Sequence, residues 1–317
     1  MNIASEEADP DLFQIPPFRD AHMHFMIDGG PAAAEELPGI IDRYRKGGVF
    51  SLRDMGHKSK IGLVAKKSSR SGFEVKTAGW ALYRRGGYGG FIGKAVAGKD
   101  EIIRAVAELS AAGADFIKVI NSGIVSARRD EPVTAGGFPL EELRVICLEA
   151  GERGLKVACH ANADEAVRNA ITAGVSSIEH GFLISGETVL MMAEAGISWT
   201  PTVVGLRSII SSLQADERRY MEEVLDRHLA AMKEASEEGV VLRAGTDGGA
   251  KGVSHGRSFL EELSMFRKAD LPMEKILEAA CMRSEDVEEG TFLLVQKEFT
   301  AAGRIEAVYE KGVRLTL

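Results

Sequence analysis

The sequence predicts a parallel (β/α)8 barrel, a TIM barrel, ending in a short C-terminal β segment. Three observations carry this. A unit of amphipathic helix, glycine, apolar strand and polar strand end recurs along the chain. The segments between strands carry helical period. Residues able to bind a metal recur at the strand ends: His22 and His24, Lys118, His160, His180 and Asp247.

The first strand covers residues 18–24, Gly48 leads into 49–54, and a third strand spans 74–82. Gly113 then precedes 114–118, Gly154 precedes 155–160, Gly174 precedes 175–180, Gly196 precedes 197–200 and Gly239 precedes 240–247. Each glycine suits the left-handed position just past a helix C-terminus, where a Cβ is penalised. Leu140, Leu143, Ile146, Cys147 and Ala150 make one apolar stripe, with Glu141, Glu142 and Arg144 outside it. Similar stripes run through 100–112, 163–173, 186–195 and 216–238. An open doubly wound sheet is the alternative, but no glycine-rich phosphate turn follows the first strand. The barrel domain is thus 18–290, with an N-terminal arm of 1–17 and a β segment of 291–317. Within that segment, 291–296 and 305–317 have strand character around a Glu310-Lys311-Gly312 turn.

Composition excludes more than it specifies. The 317 residues, 45% hydrophobic and 27% charged, suffice for one large barrel. A net charge of −8, from 47 acidic and 39 basic residues, argues against a nucleic-acid partner. Cys147, Cys159 and Cys281 are odd in number and lack CxxC spacing, which points to a reducing cytoplasm rather than a disulfide framework. The acidic residues 1–17 lack the pattern of a signal peptide, and no apolar run is long enough to enter a membrane. A small-molecule substrate is expected, and self-association is left open.

Strand period two puts Asp20, His22 and His24 on one side, which in a barrel can be the interior at the C-terminal mouth. Imidazoles and carboxylates there point to two divalent metal ions, zinc foremost, and to a metal-activated hydroxide. A cationic Lys118 would repel a metal. Its uncharged amine, favoured by burial, can instead react with carbon dioxide to give a carbamate with carboxylate-like oxygens.

The order Asp-Ala-His-Met-His, Phe-Ile-Lys-Val, Cys-His-Ala-Asn, Glu-His-Gly and Gly-Thr-Asp-Gly-Gly resembles the amidohydrolase superfamily. The likeness covers roughly 18–283 and is nearest to the branch of imidazolonepropionase and the metal-dependent Xaa-Pro dipeptidases. It implies that His22, His24 and Asp247 hold the more buried metal, that the Lys118 carbamate bridges, and that His160 and His180 hold the second. It also implies that Asp247 shuttles the proton of the attacking water. Relatives carry a small β-sandwich; here it is largely missing, and 291–317 is read as its remnant, pairing with itself or with the N-terminal arm.

Each of these residues also has an ordinary structural reading, and six in register outweigh it. Asp54 is read as a structural hydrogen-bonder, His228 as solvated on its helix, and Asp20 as the outward hydrogen-bond partner of a metal-bound histidine. Substrate contacts are expected from the βα-loops. Candidates are Arg84, Arg85 and Tyr88 on a glycine-rich loop, His57, Arg128 and His255. The expected reaction is hydrolysis of a C–N bond in an amide, cyclic amide or dipeptide. Lactone or phosphoester hydrolysis at the same metals, or a non-catalytic binding protein on this fold, are the alternatives.

Overall fold

The computed structural model describes residues 12–69, 72–302 and 304–316. Its wall is built from Phe18–Met23, Val49–Asp54, Glu74–Thr77 continued by Ala81–Arg84, Phe116–Ile120, Lys156–Ala161, Ser177–His180, Ser198–Thr200 and Val241–Leu242. Neighbouring strands pair in parallel, each with the next in chain order. Fully buried runs such as Phe-Ile-Lys-Val-Ile at 116–120 are what a parallel strand covered on both faces requires. The ring closes between the last strand and the first: Ala21 N donates to Ala244 O at 2.8 Å, Asp247 N to His22 O at 2.7 Å and His24 N to Gly248 O at 2.8 Å.

The glycines that mark the helix-to-strand turns behave as their sequence positions require. Gly48, Gly113, Gly154, Gly174, Gly196 and Gly239 all have φ between +64° and +90°. The helices Lys99–Ala111, Leu140–Glu152, Ala163–Ala173, Gly186–Glu194 and Ala215–Glu237 occupy the predicted stripes.

Three local expectations are corrected. The third strand is not continuous: it breaks between Thr77 and Ala81, where Gly79 has φ +70°. The break lets the backbones at 56 and 79–80 meet, since a Cβ on Gly56 would lie 2.8 Å from Trp80 Cα. A further parallel strand, Gly93–Val96, pairs beside Ala81–Arg84. His228 is not solvated. It lies on the same helical stripe as Met221, Val224, Leu225, Met232 and Ala235, is buried against Phe182 and Trp199, and bonds Pro201 O through Nε2 at 3.1 Å.

A second sheet sits outside the barrel, with antiparallel order Leu12–Ile15, Phe292–Gln296, Ala307–Glu310, Val313–Arg314. Leu293 and Val308 are fully buried in it. Leu293 and Ile305 also press on the turn at Gly48, where a Cβ would come within 3.0 Å of both side chains. No helix among the described residues is long and apolar enough to cross a membrane.

The helix Val203–Ser211, which follows the seventh strand, had no sequence signal of its own. Its first amides, Val203 N and Val204 N, donate to the buried Glu262 carboxyl at 3.0 and 2.8 Å. Burial pushes Glu262 from 4.5 up to about 8, against those two hydrogen bonds. A raised acid contributes its stability in full below its ordinary value and loses it as pH rises through the folded value. Glu262→Gln cannot ionise, so its Tm relative to wild type should rise by ~2 °C or more between about pH 5 and pH 9. Thermal unfolding curves of the two proteins that stay parallel with pH would refute this.

Candidate metal centre

The first, fourth, fifth, sixth and eighth strands deliver their ends to one place. His22, His24, Lys118, His160, His180 and Asp247 all line a cavity of about 260 Å³ at the C-terminal mouth. Ring centroids are 4.8 Å apart for His22 and His180, 4.6 Å for His160 and His180, and 5.7 Å for His22 and His24. Asp247 Oδ1 lies 3.4 Å from His22 Nε2 and 3.5 Å from His24 Nε2. One donor atom from each of His22, His24 and Asp247 falls within 4.8 Å of the others, a grouping that can hold a metal ion.

Two of these residues reach the cavity through backbone strain. His180 has φ +69° and Asp247 φ +60°, in the left-handed region that side chains other than glycine rarely adopt. Such positions cost on the order of 1–3 kcal/mol and persist only where the surroundings impose them. At His180 the imposing group is Trp199, whose buried indole donates to the His180 carbonyl at 2.8 Å. Trp199 also packs so closely on Gly181 that a Cβ there would lie 2.6 Å from Nε1.

Each imidazole is anchored by one nitrogen. His22 Nδ1 donates to Glu179 Oε2 at 2.8 Å, His24 Nδ1 to Gly56 O at 3.0 Å and His160 Nε2 to Gly123 O at 3.0 Å. Carbonyl and carboxylate oxygens only accept, so these nitrogens carry the proton, and in neutral His24 and His160 the other nitrogen keeps its lone pair. His22 differs: burial and the Lys118 charge push it down, but its hydrogen bonds to Asp247 and Glu179 outweigh them and raise its pKa above the usual value. His180 Nδ1 is paired with Thr202 Oγ1 at 2.8 Å. Burial pushes His24 down to about 4 and His160 to about 3, and with the neighbouring rings holds His180 well below its usual range. Neutral imidazole is the ligand form.

Lys118 and Asp247 differ from their neighbours in charge. Lys118 is 1% exposed, its Nζ has no hydrogen-bond partner, and burial lowers its pKa to about 8. For Asp247 burial works upward. The hydrogen bond from His22 and the nearby imidazoles outweigh it and hold the carboxyl well below the usual carboxylate range.

The loop residues separate sharply. Tyr88 lines the cavity, with its ring 5.9 Å from His160, and burial pushes its hydroxyl up to about 12. The arginines do not line it: Arg84 pairs with Glu142, Arg85 with Glu101, and Arg128 with Asp130 and Glu131. His57 is turned into its own loop, where Nδ1 meets Ser59 Oγ at 2.8 Å. His255 lies behind the first strand, its Nε2 bonding the His24 carbonyl at 3.0 Å, and so supports a ligand's backbone instead of facing the cavity.

Asp20 also takes a different part from the one expected. Its carboxyl accepts from Thr246 Oγ1 at 2.7 Å, Thr246 N at 3.1 Å and His22 N at 3.2 Å, which pins the last strand to the first. The outward partner of His22 is instead Glu179, completely buried and accepting also from Arg53 at 2.8 Å and Ser177 at 2.7 Å. Sequence reasoning missed Glu179 because period two sets it opposite His180. The left-handed turn at His180 brings both into the barrel. Asp54 is a structural hydrogen-bonder, accepting from Thr77 Oγ1 at 2.5 Å and Phe25 N at 3.3 Å.

Comparison with known proteins places the chain in a family. An uncharacterized protein of Mycobacterium tuberculosis is 26% identical over 275 residues, covering 84% of this chain and 72% of the relative. An ochratoxinase of Aspergillus niger is 34% identical over 154 residues, 47% of this chain and 32% of the relative. Among solved structures, a Xaa-Pro dipeptidase with bound methionine superposes with a TM-score of 0.79 at 21% identity, covering 100% of this chain and 91% of the other. The A. niger ochratoxinase structure gives 0.76 at 23% identity, over 95% and 82%. Residues 13–286 match the amidohydrolase family itself, so the chain is a hydrolase acting on carbon–nitrogen bonds and belongs to the amidohydrolase family.

Proposed function

We propose that the cavity hydrolyses an amide whose acyl and amine parts are apolar or aromatic. The carrying observation is the join of two surfaces in one cavity: the cluster of His22, His24, Lys118, His160, His180 and Asp247, and a wall of Phe91, Ile92, Ile120, Val125, Phe182 and Leu206. No arginine lines it among the described residues, so a substrate with several anionic groups finds no fork of donors there. Lys251 at the rim can meet one carboxylate. Family membership and the likeness to proteins named Xaa-Pro dipeptidase and ochratoxinase support an amide-type bond over a lactone or phosphoester.

The donor set fits divalent ions, zinc foremost. His22, His24 and Asp247 would hold one, and His160 and His180 a second. Lys118 Nζ, buried and without a partner, fits an amine that has added to carbon dioxide: an N–C bond would form, a proton would leave to solvent, and the anionic carbamate would offer its oxygens as further donors to the ions. When bound, the ions supply Lewis acidity toward a carbonyl oxygen and lower the pKa of water to about 7.

The chain's own residues do the rest. Asp247, ionised at neutral pH, takes the proton of the attacking water on its carboxylate and returns it to the departing nitrogen. Glu179 and the carbonyls of Gly56 and Gly123 keep the histidines in the tautomer that leaves a lone pair. The apolar wall excludes bulk water from the reacting bond.

Two outcomes are expected. Asp247→Asn should lower kcat by about 10²–10⁴ toward amides, measured on a panel of N-acyl amino acids, dipeptides, lactones and phosphotriesters. Unchanged turnover would remove Asp247 from proton transfer, and a wild type faster on lactones or phosphotriesters than on every amide would overturn the substrate class. Lys118→Met should abolish a carbamate signal in carbon-13 NMR of protein equilibrated with labelled bicarbonate, and should lower bound metal by elemental analysis. A wild type without that signal, or one fully active after chelation, would sink the centre as proposed.

A further inference from the structure

The opposite end of the barrel holds a second polar cavity that hydrolysis does not use. It has a volume of about 260 Å³ and is lined by Arg19, Arg53, Lys76, Lys156 and Arg243 together with serines from neighbouring strands. Arg19, Lys156, Ser177 and Ser198 sit at the N-terminal ends of their strands, and Arg53, Lys76 and Arg243 line the same cavity from neighbouring strands, so the cavity is the floor of the barrel while the metal cluster is at its mouth.

Five cations around so small a space repel one another unless anions intervene. Three carboxylates meet some of them. Glu74 is 2.9 Å from Lys76 and 3.7 Å from Arg19, Asp286 is 3.5 Å from Arg19, and Glu179 is 2.8 Å from Arg53. Neither Arg243 nor Lys156 has an ion-pair partner among the described residues. Arg243 is also the more buried of the two, and desolvation followed by the nearby charges of Arg53, Arg19 and Arg283 lowers its pKa. A half-buried guanidinium facing other guanidinia, with Glu179 the one opposing charge acting on it and that carboxylate already paired with Arg53, is an unfavourable arrangement that a ligand would relieve.

We propose that the barrel floor binds a compact divalent oxyanion of the sulfate or phosphate type, between Arg243, Lys156 and the Arg53 edge. The charges agree: five cations less three carboxylates leave two positive charges, which match a divalent anion and not a long polyanion. Guanidinium forks are the donors such a tetrahedral group takes, while Ser51, Ser177 and Ser198 already donate to Glu74, Glu179 and the Ser176 carbonyl. The site touches the metal centre through one relay, since Arg53 and His22 share the two oxygens of Glu179.

Sulfate is the probe, because it is divalent and binds divalent metals more weakly than phosphate does. Sulfate should raise the Tm of the metal-loaded wild-type protein by ~2 °C or more beyond its effect on Arg243→Gln, with chloride at equal ionic strength as reference for both. Should Arg243→Gln not fold, Lys156→Gln at an exposed position serves the same comparison. Crystals soaked in selenate should show the anomalous peak between Arg53 and Arg243. Equal sulfate shifts in wild type and variant, or selenate found at the metal cluster and absent from the floor, would overturn the proposal. Neither readout depends on hydrolysis.

Discussion

Closure of the barrel between its last and first strands is the constraint on which the site depends. The last strand is regular for two residues, Val241–Leu242, and then runs irregularly alongside the first by three backbone hydrogen bonds. Asp20 fastens that seam by accepting from Thr246 and from the His22 amide. Without it, Asp247 would have no fixed position relative to His22 and His24, which come from the other end of the fold. The donor cluster is therefore a property of the seam, and the remaining strands add His160, His180 and Lys118 to a geometry that the seam has set.

The polar interior obeys a consistent electrostatic logic. Glu179 is completely buried, which alone would cost several kcal/mol, but Arg53, Ser177 and His22 meet its two oxygens. The arrangement makes one buried carboxylate serve two ends of the barrel, neutralising a guanidinium toward the floor and fixing a tautomer toward the mouth. Lys118 is the contrast: a buried amine with nothing to bond. Burial brings its pKa down to about 8, so the uncharged amine lies within reach near neutral pH, and that form would not impose on a metal the repulsion of a lysine ammonium.

Regular features of the chain were legible because they follow from local rules. A glycine after a helical stripe needs a left-handed turn, and period two places His22 with His24. What local rules could not supply was partner choice at long range. Arg84, Arg85 and Arg128 carry the charge expected of substrate contacts, yet each lies beside a carboxylate that satisfies it. His57 and His255 follow strand ends, but the chain turns back after each, so neither ring lines the mouth. His228 looked solvated between charged neighbours, although its helical spacing from Met221, Val224, Leu225 and Met232 already placed it on the inner stripe. The broken third strand was hidden for a related reason: the approach of Gly56 to Trp80 is a contact between two strands and leaves no periodic mark in either.

The small outer sheet carries a consequence for how the molecule is made. Leu12–Ile15, near the start of the chain, pairs in register with Phe292–Gln296, near its end. The first of these strands must therefore wait until Phe292–Gln296 has been synthesised before its backbone groups find their partner. Contacts of this separation form late, after the loop entropy between them has been lost. Until then Phe13 and the unpaired edge of that strand are an exposed sticky segment, so the aggregation hazard lasts until the partner strand has emerged.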